Sequence, residues 1–161
     1  MDIEIRQASL LDLPKIKDLF VNTVQECCSD DYDERQIEVW CDAVNHEERW
    51  EDAIKKQYFL LACRGEELLG FTSLEKTNLK IKGYLDFMFV HAAHQRKGIA
   101  KRLLNEVKLK AKSLGFKLIE TDVSITAFEF FERNGFFKLR KNLNTKDNGV
   151  DLINYRMTKI L

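Results

Sequence analysis

The segment from Ile81 to Val123 constrains the fold of this chain most strongly, because it predicts a strand, a turn, a helix and another strand in direct succession. A β-like run ends at Val90, and apolar residues then recur at helical spacing as far as Leu114. A strand–helix–strand unit of this kind is typical of a crossover between parallel strands. The chain is therefore predicted to contain a sheet with at least one parallel pair and a helix packed against it.

The remaining patterns add further strands and helices to this unit. A glycine-containing turn at 64–67 joins two apolar runs into a hairpin, and three helical patterns precede that hairpin. A short helix and two strands, joined by a polar loop at 142–149, follow the crossover. This order predicts a mixed α/β sheet that is partly antiparallel. The predicted strands are 3–7, 58–63, 68–74, 81–90, 117–123, 136–141 and 151–160, and the main helix is predicted over 96–114.

The turn that precedes the main helix, Gln95-x-x-Gly98-x-Ala100, is unusual in two respects. No Ser, Thr, Asp or Asn stands between Gln95 and Gly98 to cap the helix. The surrounding residues are basic, which is the wrong sign for a helix N-terminus. A phosphate or pyrophosphate would supply both the cap and the counter-charge. An ordinary surface turn in a chain with 32% charged residues is the alternative, and the spacing alone leaves both open.

Composition excludes several broad classes of function. The 26 Lys and Arg residues balance 26 Asp and Glu residues, so no net charge attracts nucleic acid or an anionic membrane. The charged N-terminus and the short apolar runs predict neither a signal peptide nor a membrane span. The four cysteines lack metal-ligand spacing, which favours free thiols in a reducing cytoplasm and no metal site. The 161 residues are predicted to form one domain, 1–161.

A second motif, Ser124-Ile-Thr-Ala-Phe-Glu-Phe-Phe131-Glu-Arg-Asn-Gly135-Phe136, follows the fifth predicted strand. Together with the glycine turn and the order of elements, it resembles the GNAT superfamily of acyl-CoA-dependent N-acyltransferases over essentially the whole chain. The run Tyr84–Val90 and the set Tyr32, Gln36 and Trp40 are similar to the YafP-like bacterial acetyltransferases. The resemblance implies a GNAT-like fold, with a mostly antiparallel sheet splayed between strands 4 and 5 and flanked by helices.

The resemblance also implies acetyl-CoA as co-substrate, lying in the splay. Its pyrophosphate would rest on the N–H groups of the glycine turn, and its pantetheine arm would pair with the fourth strand like an added strand. Phe131 stands where most of the superfamily has a tyrosine that acts as the general acid. Ser124 replaces the usual Asn and would bond a pantetheine amide or merely cap the next helix. The cofactor-binding residues expected on this basis are Met88, Phe89, Val90, Gln95, Arg96, Lys97, Gly98, Ile99, Ala100, Lys101, Ser124 and Phe131.

Direct attack of an amine on the thioester requires a group that accepts a proton, because an alkylamine with a pKa of about 10.4 is mostly protonated at pH 7. Asp86 is the candidate base, as a lone carboxylate in an apolar strand, predicted to share a face with Met88 and Val90. Local backbone bonding or a solvent-facing position is the alternative. A backbone N–H of Phe89 or Val90 would stabilise the oxyanion. Tyr155 could replace the missing acid, or it could be a half-buried strand tyrosine.

The acceptor, a small-molecule or peptide amine, is expected to bind near the segment between the first two helices. Aromatic residues stand there among the acids at 30–34, a wall that suits a cation. Tryptophans that anchor the helices, and acids that begin a solvated helix, are the alternative. His91 and His94 are expected on a surface loop. The expected substrate-binding residues are Tyr32, Trp40 and Tyr84.

Two other functions remain open at this stage. A non-catalytic acyl-CoA-binding regulator is compatible with Phe131, which has no proton to donate. A nucleotide-binding module fits less well, because Ile99 follows Gly98 where a phosphate-binding loop would place lysine and then Ser or Thr. The sequence also leaves a homodimer open.

Overall fold

The computed structural model describes residues 2–161, which contain seven strands and five α-helices. Two of the helices have 15 residues each and three are shorter. The strands are β1 (Glu4–Gln7), β2 (Tyr58–Arg64), β3 (Glu67–Lys76), β4 (Lys82–Val90), β5 (Leu118–Ser124), β6 (Phe137–Thr145) and β7 (Asp151–Ile160), and the helices are α1 (Leu13–Cys27), α2 (Glu34–Cys41), α3 (Glu47–Lys56), α4 (Ile99–Ser113) and α5 (Phe128–Arg133).

All seven strands join in one sheet, in the order β1-β2-β3-β4-β5-β7-β6. Five of the neighbouring pairs are antiparallel, and β4 and β5 are parallel. The helix α4 connects these two parallel strands. The predicted crossover and the predicted mixed, mostly antiparallel sheet are therefore both confirmed.

The sheet carries helices on both faces because its strands alternate between two apolar sets. On one face α1 and α3 bury Phe20 and Trp50 against β4, where the ring centroid of Phe20 lies 4.9 Å from that of Phe89 and Trp50 stacks on Phe87 at 4.8 Å. On the other face α4 and α5 bury Leu104 and Phe131 against β5 and β7. Both faces of the central strands are thereby removed from water, which supplies the main stabilising free energy of the fold.

Helix α4 begins at Ile99, three residues later than the apolar pattern predicts. Arg96 has φ +59° and Gly98 has φ +81°, so the preceding residues form a turn with two left-handed positions. A left-handed residue cannot continue a right-handed helix. The helix therefore starts directly after Gly98.

Strand β6 is longer than predicted, and the polar loop after it is correspondingly shorter. Asn142 Nδ2 donates to Asn154 Oδ1 at 2.9 Å, and Asn144 Nδ2 donates to Leu152 O at 3.1 Å. These amides bond across to β7, so polar side chains support strand pairing where a polar loop was predicted. The turn itself closes with the Lys146 N–H donating to Val150 O at 2.8 Å.

Candidate active site

The parallel strands β4 and β5 separate after a short stretch of pairing. Only Lys82–Leu85 pair with Leu118–Thr121, and the Thr121 hydroxyl donates to Leu85 O at 2.9 Å where the pairing ends. From residue 86 onward β4 has no partner on this side among the described residues. The gap opens into a cleft of about 770 Å³, which lies against β4, β5, β7 and the segment from α2 to α3.

The unpaired edge of β4 presents backbone groups to this gap. The His91 N–H donates to Leu69 O across the β3–β4 ladder at 2.9 Å. Alternate residues of an antiparallel strand direct their N–H groups to the same neighbour, so the Phe89 N–H also points to β3. The N–H groups of Met88 and Val90 consequently face the gap. Of the two oxyanion donors considered above, this alternation leaves the amide of Val90.

The end of β4 is fixed by side chains from two directions. The carbonyl oxygen of Val90 accepts hydrogen bonds from the Thr23 hydroxyl at 2.8 Å and from Gln95 Nε2 at 2.5 Å. The Gln95 amide therefore ties the glycine turn to the strand. Its contribution to a cofactor site is to hold the turn in position.

The glycine turn leaves the first backbone N–H groups of α4 without a capping side chain in the described chain. The first N–H of this helix that donates to a backbone carbonyl is that of Arg102, which bonds Gly98 O at 3.0 Å. No heavy atom lies within 4 Å of the position that a Cβ on Gly98 would occupy. Unsatisfied N–H groups beside open space, at the positive end of a 15-residue helix, form a site suited to an anion.

Asp86 lies at a β-bulge in β4. Ser73 is opposite Phe87 in the neighbouring strand, whereas Leu74 is opposite Leu85, so Asp86 is the extra residue. A bulge interrupts the alternation of side chains and redirects the extra residue. The direction of Asp86 therefore does not follow from strand periodicity.

The carboxylate of Asp86 meets α3 instead of the α4 face. It accepts hydrogen bonds from Arg49 Nη2 at 2.7 Å and from Gln57 Nε2 at 2.8 Å, and its side chain is 8% exposed. The prediction that Asp86 shares a face with Met88 and Val90 is wrong, because those two side chains pack toward α4. Burial lowers the pKa of Arg49, but the Asp86 carboxylate outweighs this effect and raises it overall.

A second, partly buried carboxylate, Asp122 on β5, lies in the same cleft and was not predicted. Arg156 on β7 binds it with two hydrogen bonds of 2.7 and 2.8 Å, and Tyr84 and Asn142 each donate to it at 2.8 Å. Burial opposes ionisation, yet these donors hold the pKa of Asp122 below its usual value. Burial and the bond to Asp122 both raise the pKa of Tyr84. The alternation of Glu120 and Asp122 with apolar residues in β5 was the available sequence signal.

The predicted substrate-binding residues Tyr32 and Trp40 line the cleft together with Tyr84. Their roles differ, because the Tyr32 hydroxyl donates to Ile153 O at 2.6 Å and accepts from the Ile125 N–H at 2.9 Å. This hydroxyl links the loop after α1 to β5 and β7, and burial raises its pKa to about 12. Tyr32 can therefore offer its ring to a ligand, while its polar atom is already bonded within the protein.

The acids near Tyr32 lie outside the lining of the cleft. Asp33 accepts from the Gln36 N–H at 2.8 Å and caps α2, and Asp31 accepts from the Thr126 hydroxyl at 2.7 Å. Trp50 is 1% exposed and donates to Ala43 O at 2.9 Å. The alternative stated above is thus what the structure shows, with the acids at a helix start and Trp50 in the core.

The second motif places Ser124 and Phe131 on the opposite wall of the cleft. The Ser124 hydroxyl accepts from the Ala127 N–H at 3.1 Å, so it stabilises the turn that leads into α5. Phe131 is 2% exposed. Tyr155 is not in the lining; its ring packs on Phe128 with centroids 5.2 Å apart. The structure therefore brings Ser124 and Phe131 to the cleft and leaves Tyr155 outside it.

The two histidines near the turn differ from each other. His91 Nδ1 accepts from the Ala93 N–H at 3.0 Å. His94 is 8% exposed and lies 3.4 Å from a carboxylate oxygen of Glu67, so the expectation of a surface position was wrong for His94. Within residues 2–161 no group of three or more His, Cys, Asp or Glu residues has the arrangement of a metal site. No helix in that range has the length and apolar character needed to cross a membrane.

Comparison with known proteins agrees with this geometry. The chain matches the acetyltransferase (GNAT) domain family over residues 28–159. It belongs to the GNAT family of N-acetyltransferases. It is also similar to the uncharacterized N-acetyltransferase YafP of Escherichia coli K12, with 32% identity over 135 residues, which cover 84% of this chain and 81% of that protein. The resemblance to YafP-like members inferred from the sequence is thereby confirmed.

Two solved structures of GNAT enzymes share the fold along the whole chain. A GCN5-related N-acetyltransferase from Rhodopseudomonas palustris is 25% identical, with a TM-score of 0.90 and coverage of 100% of this chain and 97% of that one. The PaiA N-acetyltransferase of Thermoplasma acidophilum, solved in complex with coenzyme A, is 24% identical, with a TM-score of 0.80 and full coverage of both chains. The seven-stranded sheet and its flanking helices therefore form a GNAT fold.

Proposed function

We propose that this enzyme transfers the acetyl group of acetyl-CoA to a primary amine by direct attack within a ternary complex. The observation that carries the proposal is the unpaired edge of β4 running straight into an uncapped helix N-terminus. A strand edge and a set of free N–H groups arranged end to end fit a long ligand with an amide-containing arm and a pyrophosphate. The cleft into which the gap beside β4 opens leaves room for a second substrate.

The glycine turn would hold the pyrophosphate. The N–H groups of residues 96–101 lie at the positive end of α4, and the open space beside Gly98 admits an oxygen close to the backbone. The exposed Arg96 and Lys97 side chains supply positive charge nearby. The gap-facing N–H groups of Met88 and Val90 would pair with the amides of the pantetheine arm, as an added strand would.

The transfer requires one base and one hydrogen-bond donor to the oxyanion. The amine nitrogen attacks the thioester carbonyl carbon, a C–N bond forms, and the C–S bond then breaks to release the thiolate of coenzyme A. A gap-facing N–H of β4 that the arm leaves unpaired stabilises the oxyanion, and the Asp86 carboxylate accepts the proton that the nitrogen loses. A thiolate with an ordinary pKa of about 8.5 leaves without obligatory protonation, which is compatible with Phe131 in the cleft. Tyr155 as an acid stays a prediction.

Release of free thiol from acetyl-CoA in the presence of a panel of amines tests this proposal. The expected result is amine-dependent thiol release together with an acetylated acceptor detected by mass spectrometry. Binding of coenzyme A without transfer to any amine would instead support a regulator. That outcome would overturn the proposed activity while leaving the cofactor site in place.

A further inference from the structure

The two carboxylates that β4 and β5 contribute to the acceptor cleft are already paired. Asp86 is bonded to Arg49 and Gln57, and Asp122 is bonded to Arg156 on both oxygens. Neither carboxylate therefore has an unpaired charge for a cationic acceptor, although Asp86 accepts one bond on each oxygen and keeps lone pairs that can take up a proton. A charged group that is available to the acceptor must therefore be sought among the basic residues of the lining.

Arg49 is the base with donors to spare. Its side chain is 49% exposed and lines the cleft, and its hydrogen bonding to the described residues consists of the bond from Nη2 to Asp86. A guanidinium has five N–H donors, so most of them are available to a ligand. Arg49 belongs to the lining of the cleft, so these donors are accessible from the space in which the acceptor would lie.

The guanidinium is also fixed in direction before any ligand binds. Its carbon lies 4.9 Å from the centroid of the Phe87 ring, and Asp86 holds one end of the group. A planar fork with a free edge is matched by a carboxylate, which it binds with two parallel hydrogen bonds. Preorganisation of this kind reduces the entropy lost on binding.

The mouth of the cleft carries both acidic and basic side chains, which provide no comparable site for a carboxylate. Asp42, Lys146 and Asp147 line the mouth, and all three are exposed to solvent. Exposed charges are screened by water and salt and contribute little to affinity. Arg49 is 49% exposed as well, but Phe87 and Asp86 fix the direction of its guanidinium, so it is the stronger candidate for recognising a charged group of the acceptor.

From this arrangement we infer that the acceptor is a primary amine that also carries a carboxylate, as a free amino acid does. The inference rests on the proposed acetyl transfer and names its substrate class. Arg49 binds the carboxylate of the acceptor, and the amine of the same molecule reaches the thioester at the end of β4. A polyamine or a simple alkylamine lacks the group that Arg49 recognises.

The first part of the test compares matched acceptors and requires no mutation. Each amino acid that has a primary α-amine is compared with its carboxamide as acceptor for acetyl-CoA, and the ratio of the two kcat/KM values is measured. The amino acid is expected to be preferred by about tenfold or more, since one charge-assisted contact of this kind separates the two. The α-amine of a carboxamide resembles that of a peptide, with a pKa near 8, so the intrinsic reactivity at neutral pH favours the carboxamide. A preference for the acid therefore cannot come from the amine.

The second part of the test asks whether Arg49 is the origin of the preference. In Arg49→Gln the ratio of kcat/KM values is expected to fall to one or below, because the amine of the carboxamide is intrinsically the more reactive. Arg35→Gln, which removes an exposed charge on α2 outside the cleft, leaves the ratio unchanged. An equal loss for both acceptors in Arg49→Gln would mean that Arg49 acts only through Asp86, and it would overturn the inference. Transfer to amines with no preference for the acid would overturn the inference alone, while transfer to no acceptor would overturn the proposed function as well.

Discussion

Replacement of Gly98 by glutamate tests the anion site at the start of α4. Gly98 has φ +81°, and no atom lies within 4 Å of the position of a new Cβ, so the side chain fits but the backbone is strained. A left-handed non-glycine residue costs about 1–2 kcal/mol of stability. In a chain of this size that corresponds to a fall in Tm of roughly 2–8 °C.

The effect on coenzyme A affinity should be much larger than this strain. A carboxylate about 5 Å from one phosphate charge, at an effective dielectric constant of about 20, raises the free energy of the complex by about 3 kcal/mol. The dissociation constant is therefore expected to rise by at least about 100-fold. Isothermal titration with coenzyme A measures the affinity, and thermal unfolding without ligand measures the strain.

Two variants separate charge from strain. Gly115 lies at the other end of the same helix, with φ +80° and equally open space around its Cβ position. Gly115→Glu therefore introduces the same side chain under a similar strain about 25 Å away, at 1.5 Å per helical residue. Gly98→Gln adds the bulk without the charge. If Gly98→Glu binds coenzyme A within about threefold of Gly115→Glu, the pyrophosphate does not bind at this helix start.

Three further predictions concern the charged groups of the cleft. Asp86→Asn should lower kcat by about 10²- to 10⁴-fold with little change in affinity for coenzyme A, as expected for a base; an unchanged pH–rate profile would remove Asp86 from that role. Arg156→Gln leaves Asp122 and Glu120 largely buried without their shared partner, and urea unfolding should report a loss of about 3 kcal/mol or more; a loss below about 1 kcal/mol would contradict the network. Tyr84 has a raised pKa in the folded state, so its hydroxyl contributes stability that is complete below pH 10 and lost as the pH rises through the higher folded value; Tyr84→Phe should flatten the decline in stability above pH 10, and an unaltered decline would show that another group causes it.

Local sequence patterns were sufficient to predict the crossover and the glycine turn, because both depend on residues that are close together in the chain. The strand ending at Val90 and the helix beginning after Gly98 are set by apolar periodicity and by backbone preference. The uncapped helix start could likewise be recognised from the absence of a capping residue type. These features need no knowledge of the tertiary structure.

The charged partners in the cleft could not be predicted in this way. Arg49 and Asp86 are 37 residues apart, and they meet because α3 packs over a bulge in β4 whose position depends on the register with β3. The same bulge turned Asp86 away from the face that simple alternation assigned to it. A register shift is a property of two paired strands, so neither strand contains the information alone.

The short parallel pairing of β4 with β5 divides the sheet into two parts that are joined through four residue pairs. The part from β1 to β4 and the part formed by β5, β7 and β6 each have antiparallel ladders, so the boundary between them is the place where the sheet is most easily separated. A ligand arm lying along the gap would extend this boundary, and binding would then slow hydrogen exchange at the Met88 and Val90 amides. The co-substrate would in this sense act as the missing length of strand between the two halves of the sheet.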